Sequence, residues 1–294
     1  MTHRRAVLLM IVVTLLWSTA GVVSRHLEAA RSFEVTFWRS AFNALGLLAA
    51  LGWMRGTALW GQILRAPRVV WISALCWATM FTAFMVALTL TRVANVLVTM
   101  SLGPLLTALF ARLFLHHRLP ARTWGAIALG SAGIAWMFGH EMDGAGLAGM
   151  VAAFAVPLAA ATNWTLLQHA HHGASAQGEE GADMLLAVLL GAAISAALAL
   201  PLAWPLQAGA HDLTLLAGLG FFQLALPCLI VVRLTHVLAA PEIALLGLLE
   251  VLLGVLWAWL GAGEAPSSAA LAGGAMVLAA LMGNELLALR KRAG

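Results

Sequence analysis

The spacing of arginines constrains this chain more than any other feature. Between Arg5 and Arg25 lie 19 uncharged residues, between Arg68 and Arg92 lie 23, and between Arg92 and Arg112 another 19. A helix rises 1.5 Å per residue, so about 20 apolar residues cross the hydrocarbon core of a bilayer. Composition points the same way. Of 294 residues, 62% are hydrophobic and 10% are charged, and the mean hydropathy is +0.94. A soluble domain carries roughly 25% charged residues, and a disordered chain needs low hydrophobicity. Both are excluded, and the fold class is an all-α integral membrane protein.

Reading apolar runs between polar corners predicts ten transmembrane helices: 6–24, 34–54, 69–90, 94–115, 121–139, 145–169, 183–205, 212–234, 241–261 and 268–288. The connections read as short, with no soluble domain between them. The first run is longer than a signal-peptide core and is expected to stay as helix one. Cys76 and Cys228 both fall inside apolar runs, which leaves no disulfide framework. The pI near 10.4 reflects arginines at helix ends, an orientation signal. With the N-terminus inside, the cytoplasmic side holds Arg4, Arg5, Arg55, Arg65, Arg68, Arg112, Arg118, Arg122, Arg233, Arg290, Lys291 and Arg292. The outer side holds Arg25, Arg31 and Arg92. The expected orientation is N-in and C-in.

Shifting the sequence by half its length overlays Asn95 on Glu242, Gly103 on Glu250 and His117 on Glu264. Both segments read as a helix, a tight polar corner and a Gly/Ala-rich helix. Five helices per copy is odd, so the second copy enters the membrane from the opposite side. The expected organisation is a repeat over 1–140 and its inverted copy over 141–294, with a substrate site near the midplane between them.

Several segments carry a family likeness: LLWSTAG in helix one, FWR in helix two, PLLTALFARLFLHHRLPARTWGAIALGSAGI in the first half, and LLEVLLGVLWAWLGAGEAPSSAALAGGAMVLA in the second. In order, these resemble the EamA type of the drug/metabolite transporter superfamily. Val251 stands where that family often has proline, and His117 where it often has glutamate. The resemblance implies a secondary transporter, commonly an exporter of amino acids or other small metabolites. It also implies a multi-pass protein of the bacterial inner membrane.

The candidate site residues are polar or aromatic groups at membrane depth. Glu250, about 12 Å into helix nine at 1.5 Å per residue, reads as a substrate or proton site, or as a structural hydrogen-bond acceptor. Arg39 in helix two suits a carboxylate clamp, interfacial snorkelling or a pair with Glu34. Asn43 stands one turn on. Thr14, Ser18 and Gly21 share a face of helix one beside Trp17, for packing or for lining a cavity. Trp77, Phe81 and Phe84 form an aromatic stripe in helix three. Met100, Asn163, Trp164, Gln168 and Gln223 complete the set. Pro104, Pro157 and Pro227 are hinge candidates. Trp38, Trp53, Trp60, Trp71 and Trp204 read as interfacial anchors. Glu264 reads as a loop cap before helix ten.

Other chemistries fit less well. His169, His171 and His172, ahead of Glu179, Glu180 and Asp183, read as a solvated loop rather than a metal site. His116 and His117 favour the C-terminal end of helix four through the helix dipole. His140-Glu141 begins an HExxH motif that Gly144 ends, and no Walker-A loop or GxSxG is present. No cofactor, metal or nucleic-acid partner is expected. The expected partners are a small-molecule substrate and the lipid bilayer, with the protein a monomer or homodimer. The rival readings are a proton-coupled efflux pump for lipophilic cations, an intramembrane enzyme, and a pure scaffold or channel.

Overall fold

Hydrocarbon offers the backbone no hydrogen bonds, so an apolar chain must satisfy its N–H and C=O groups within helices. The computed structural model describes residues 1–24, 26–30, 32–91, 93–116, 119–138, 147–177, 184–263 and 266–293, and among them every regular element is helical. They are α1 (His3–Trp17), α2 (Thr19–Ser24), α3 (Ser32–Arg55), α4 (Ala58–Leu64), α5 (Arg68–Leu90), α6 (Val93–Met100), α7 (Gly103–Phe114) and α8 (Ala121–Phe138). There follow α9 (Leu147–Gln177), α10 (Met184–Ala203) and α11 (Ala210–Gly218), then a π-helical stretch (Leu219–Ala225) and α12 (Leu226–Leu234). The last are α13 (Ala240–Gly247), α14 (Leu249–Ala262) and α15 (Ser268–Ala293). Among the described residues, six helical stretches are long and apolar enough to cross a membrane, and Val98–Phe114 and Ser268–Asn284 are shorter apolar helices.

Three predicted single helices are broken. The first breaks at Ser18, the fourth at Ser101–Leu102, and the ninth at Leu248. A break inside a membrane releases carbonyls that need other partners, and neighbouring helices supply two of them. Gln223 Nε2 donates to the Trp17 carbonyl at 3.1 Å, and Ser131 Oγ donates to the Ser101 carbonyl at 2.7 Å. Leu248 lies 147 residues after Ser101, the offset that overlays the sequence halves.

Further differences from the sequence reading have physical causes. The connection between α3 and α5 carries the short helix α4, which buries Leu59 and leaves Trp60 and Leu64 exposed. Helix six continues to Gln177, so His169, His171 and His172 are helical rather than in a loop. Trp38 is not a free anchor: it stacks on Phe42 at 5.7 Å and donates Nε1 to Glu34 Oε1 at 3.3 Å. Trp53 is 93% exposed. Pro104 stands in the first turn of α7, where a missing N–H costs little. Pro227 lies inside the continuous helical run Ala210–Leu234, directly after its π-helical stretch. Pro157 does lie inside α9, which stays helical through it.

Glycines set the closest helix crossings. A β-carbon on Gly273 of α15 would fall on the carbonyl of Gly133 in α8, and one on Gly133 would sit 2.7 Å from the Gly273 carbonyl. These two helices therefore pack backbone to backbone.

Candidate transport site

The predicted site residues fall into two groups. The first gathers around α3. Arg39 and Asn43, four residues apart, share one face of this helix, and both are buried, Asn43 completely. The π-helical stretch presses against that face at Gly220, whose added β-carbon would collide with Phe42 Cβ and approach the Arg39 carbonyl to 3.0 Å. Only glycine allows this approach. It brings Gln223 alongside, with its Nε2 on the Trp17 carbonyl.

Glu250 enters from α14. The break at Leu248 changes its setting, because it sits in the first turn of a new helix rather than mid-helix. There the N-terminal end of the helix dipole favours a carboxylate. Glu250 is half-buried and lies within electrostatic reach of Arg39, as does Cys228 of α12. No nitrogen of Arg39 comes within the 4.0 Å of an ion pair with Glu250. Nor does Arg39 pair with Glu34, whose Oε1 instead accepts from the backbone of Gln207 and Ala208 at 2.8 Å each.

Trp257 completes this group, donating Nε1 to Ser18 Oγ at 3.0 Å at the α1–α2 break. The sequence reading missed it. Trp257 follows Glu250 by seven residues, two turns along the same face of α14, and that periodicity was the available signal. Ser18 in turn donates to the Leu15 carbonyl at 2.8 Å, and Thr14 to the Ile11 carbonyl at 2.8 Å.

The second group joins α5 and α9. Ser73 Oγ donates to Asn163 Oδ1 at 2.6 Å, and Trp77 meets Trp164 edge-on with centroids 5.5 Å apart. Phe81 lies against Trp77 at 5.6 Å. Gln168 Oε1 accepts from the Ala240 backbone at 3.1 Å and so caps α13. Phe84 and Met100 belong to neither group, since both pack on a small apolar cluster of Ala87, Val96 and Ala153. Glu264, His117, His140, Glu141, Gly144, Glu179, Glu180 and Asp183 lie outside the described residues.

Unmet hydrogen-bonding capacity is concentrated at these positions. Arg39 Nε, both polar atoms of the Asn43 carboxamide, Gln223 Oε1, Trp77 Nε1 and Asn163 Nδ2 are buried with no partner among the described residues. A buried polar atom without a partner costs about 1–3 kcal/mol, so such a set needs an explanation. Among the described residues no cluster of His, Cys, Asp or Glu could hold a metal ion.

The first half of the chain matches a family model, that of the EamA-like transporter family, over residues 4–139. The match covers 136 of the 294 residues and is a likeness of that segment. This family lies in the drug/metabolite transporter superfamily, and the match together with the apolar helices supports a multi-pass membrane protein. A search of curated proteins gave no match. One solved crystal structure superposes with a TM-score of 0.77, covering 97% of this chain and 99% of its own, at 20% sequence identity. That likeness concerns the fold, and it extends the architecture beyond the EamA segment to nearly the whole chain.

Proposed function

We propose that this protein is a secondary transporter, an exporter of amino acids or closely related zwitterionic metabolites across the bacterial inner membrane. The observation that carries this reading is the opposed pair Arg39 and Glu250, held within electrostatic reach but apart from direct contact. A zwitterion bridges such a pair. Arg39 takes the carboxylate through its planar fork of donors, and Glu250 takes the ammonium. Asn43 and Gln223 offer partners to the remaining polar atoms. Trp17 and Trp257 stand beside them, and Trp77 and Trp164 shape the apolar side of the α5–α9 interface.

The chain spans the membrane ten times, with α1–α2, α6–α7, α11–α12 and α13–α14 each counting as one crossing. Both termini are cytoplasmic. The two five-helix halves are inverted copies, over 1–140 and 141–294, and alternate access by moving against each other. The equal offset of the breaks at Ser101 and Leu248 supports the repeat. Breaks and the π-helical stretch give both halves places to bend, next to Pro104 and Pro227. With the substrate gone, Glu250 takes up a proton and couples export to the proton gradient.

The test is counterflow in proteoliposomes loaded with unlabelled amino acid. The native chain accumulates labelled amino acid, and Arg39→Gln abolishes accumulation. Glu250→Gln loses the dependence on pH. Wild-type counterflow by Glu250→Gln at every pH removes its proton role, and wild-type counterflow by Arg39→Gln removes the clamp. Export of lipophilic cations with Glu250 as counter-charge fits less well, because Arg39 already opposes that carboxylate.

A further inference from the structure

At the end of the bundle away from the N-terminus, two loops are held by buried carboxylates in a reciprocal pattern. Residues 26–30 lead toward α3, and residues 204–209 lead into α11. Asp212, in the first turn of α11, is 1% exposed. Its Oδ1 accepts from the backbone of Glu28 at 2.9 Å, and its Oδ2 from Ala29 at 2.9 Å and Ala30 at 2.8 Å. Glu34, in the first turn of α3, is 3% exposed and accepts on Oε1 from the backbone of Gln207 and Ala208 at 2.8 Å each. Each helix start thus grips the loop entering the other. His211 Nε2 adds a contact at 3.3 Å to the His26 carbonyl.

Beneath the clasp lies an apolar plug of Val35, Leu216 and Leu219, packed by Val23, Trp38 and Met85. Arg39 follows Glu34 by five residues, about 7.5 Å along a helix. The clasp and plug therefore stand directly over the Arg39 group. The opposite end is held differently, by a contact of 2.6 Å between His3 Nε2 and Glu242 Oε1, each side chain 19% exposed. Five short hydrogen bonds to two buried carboxylates close one end, and a His–Glu contact with side chains about one-fifth exposed ties the other.

We propose that Glu34 and Asp212 are the latch of the outer gate: the clasp joins the first half of the chain to the second and must open whenever the site faces outward. The inference rests on the alternating-access reading above and adds to it which contacts define the outward-closed state. A carboxylate accepting two or three backbone N–H groups fixes those loops in one arrangement. Replacing it by an amide keeps shape and volume but removes the charge, and half of the new group is a donor facing donors.

The test is labelling of a cysteine within the plug. Leu219→Cys is introduced into the otherwise native chain, and right-side-out vesicles receive a membrane-impermeant maleimide. The native chain, with buried Cys76 and Cys228, serves as the blank. Asp212→Asn and Glu34→Gln are each added to Leu219→Cys, and rates are compared well below the unfolding midpoint of each variant in detergent. The latch predicts labelling faster by about tenfold or more in both variants, on the scale of losing one charge-assisted hydrogen bond. Labelling at the parent rate in both variants overturns it. The readout needs no substrate, so a missing transport activity is seen separately and does not imitate a failed latch.

Discussion

Gln223 Nε2 donates at 3.1 Å to the carbonyl of Trp17, the residue at which the first helix stops before restarting at Thr19. One side chain from a π-helical stretch thereby satisfies backbone that a break at membrane depth would leave bare. The other end of the same carboxamide, Oε1, is buried and has no partner among the described residues. Gln223 is thus both a structural tie and a group with capacity to spare.

Replacing Gln223 by Leu removes that tie while keeping the bulk. The Trp17 carbonyl then lacks its donor, at a cost of about 1–3 kcal/mol. Thermal unfolding in detergent is expected to show a lower midpoint than in the native chain. Gln223→Glu, which keeps an acceptor but loses the donor, should be at least as destabilising. An unchanged midpoint in both variants would remove Gln223 from the account of the first break.

Gly220 governs how closely the π-helical stretch meets α3. A methyl group there would collide with Phe42 Cβ and crowd the Arg39 carbonyl, both on one helix. Gly220→Ala is expected to cost roughly 1–3 kcal/mol by overpacking. It should also weaken substrate binding more than its stability loss alone explains, because the helix that carries Arg39 must shift. Ligand-induced stabilisation measured on Gly220→Ala against the native chain checks this directly.

Ser195 of α10 is a hydroxyl hub, with Ser40 Oγ at 3.0 Å and Thr82 Oγ at 2.9 Å. It ties α10 to α5 and to α3 through Ser40, which follows Arg39 but faces another way, since consecutive helical residues do not share a face. Ser195→Ala therefore separates stability from function. A loss of about 1–2 kcal/mol is expected from the hydrogen bonds given up, with substrate affinity unchanged. A large drop in affinity without a drop in stability would move Ser195 into the site.

The helical, membrane-spanning character was legible because hydrocarbon imposes one dominant rule, that apolar runs of a given length form helices. The breaks were not legible. Ser18, Ser101 and Leu248 sit in apolar runs like any other, and the groups that compensate the first two, Gln223 and Ser131, are remote in sequence. Arg39, Asn43 and Glu250 stood out because charge and amide groups at membrane depth are costly. Glu34 and Asp212 did not, since their partners are backbone N–H groups of distant loops, which every residue but proline carries. Met100, in the middle of predicted helix four, packs against Ala87, Val96 and Ala153 rather than among the polar groups.

The central claim is that Arg39 and Glu250 together read the two charges of a zwitterion. Thermal unfolding of the purified protein, followed against free amino acids, their methyl esters and their N-acetyl forms, tests it most directly. A free amino acid at 100 times its Kd should add about 2.7 kcal/mol of stability. The ester, which lacks the carboxylate, and the acetylated form, which lacks the ammonium, should each add little. Equal stabilisation by all three forms, or by the blocked forms alone, would contradict the claim.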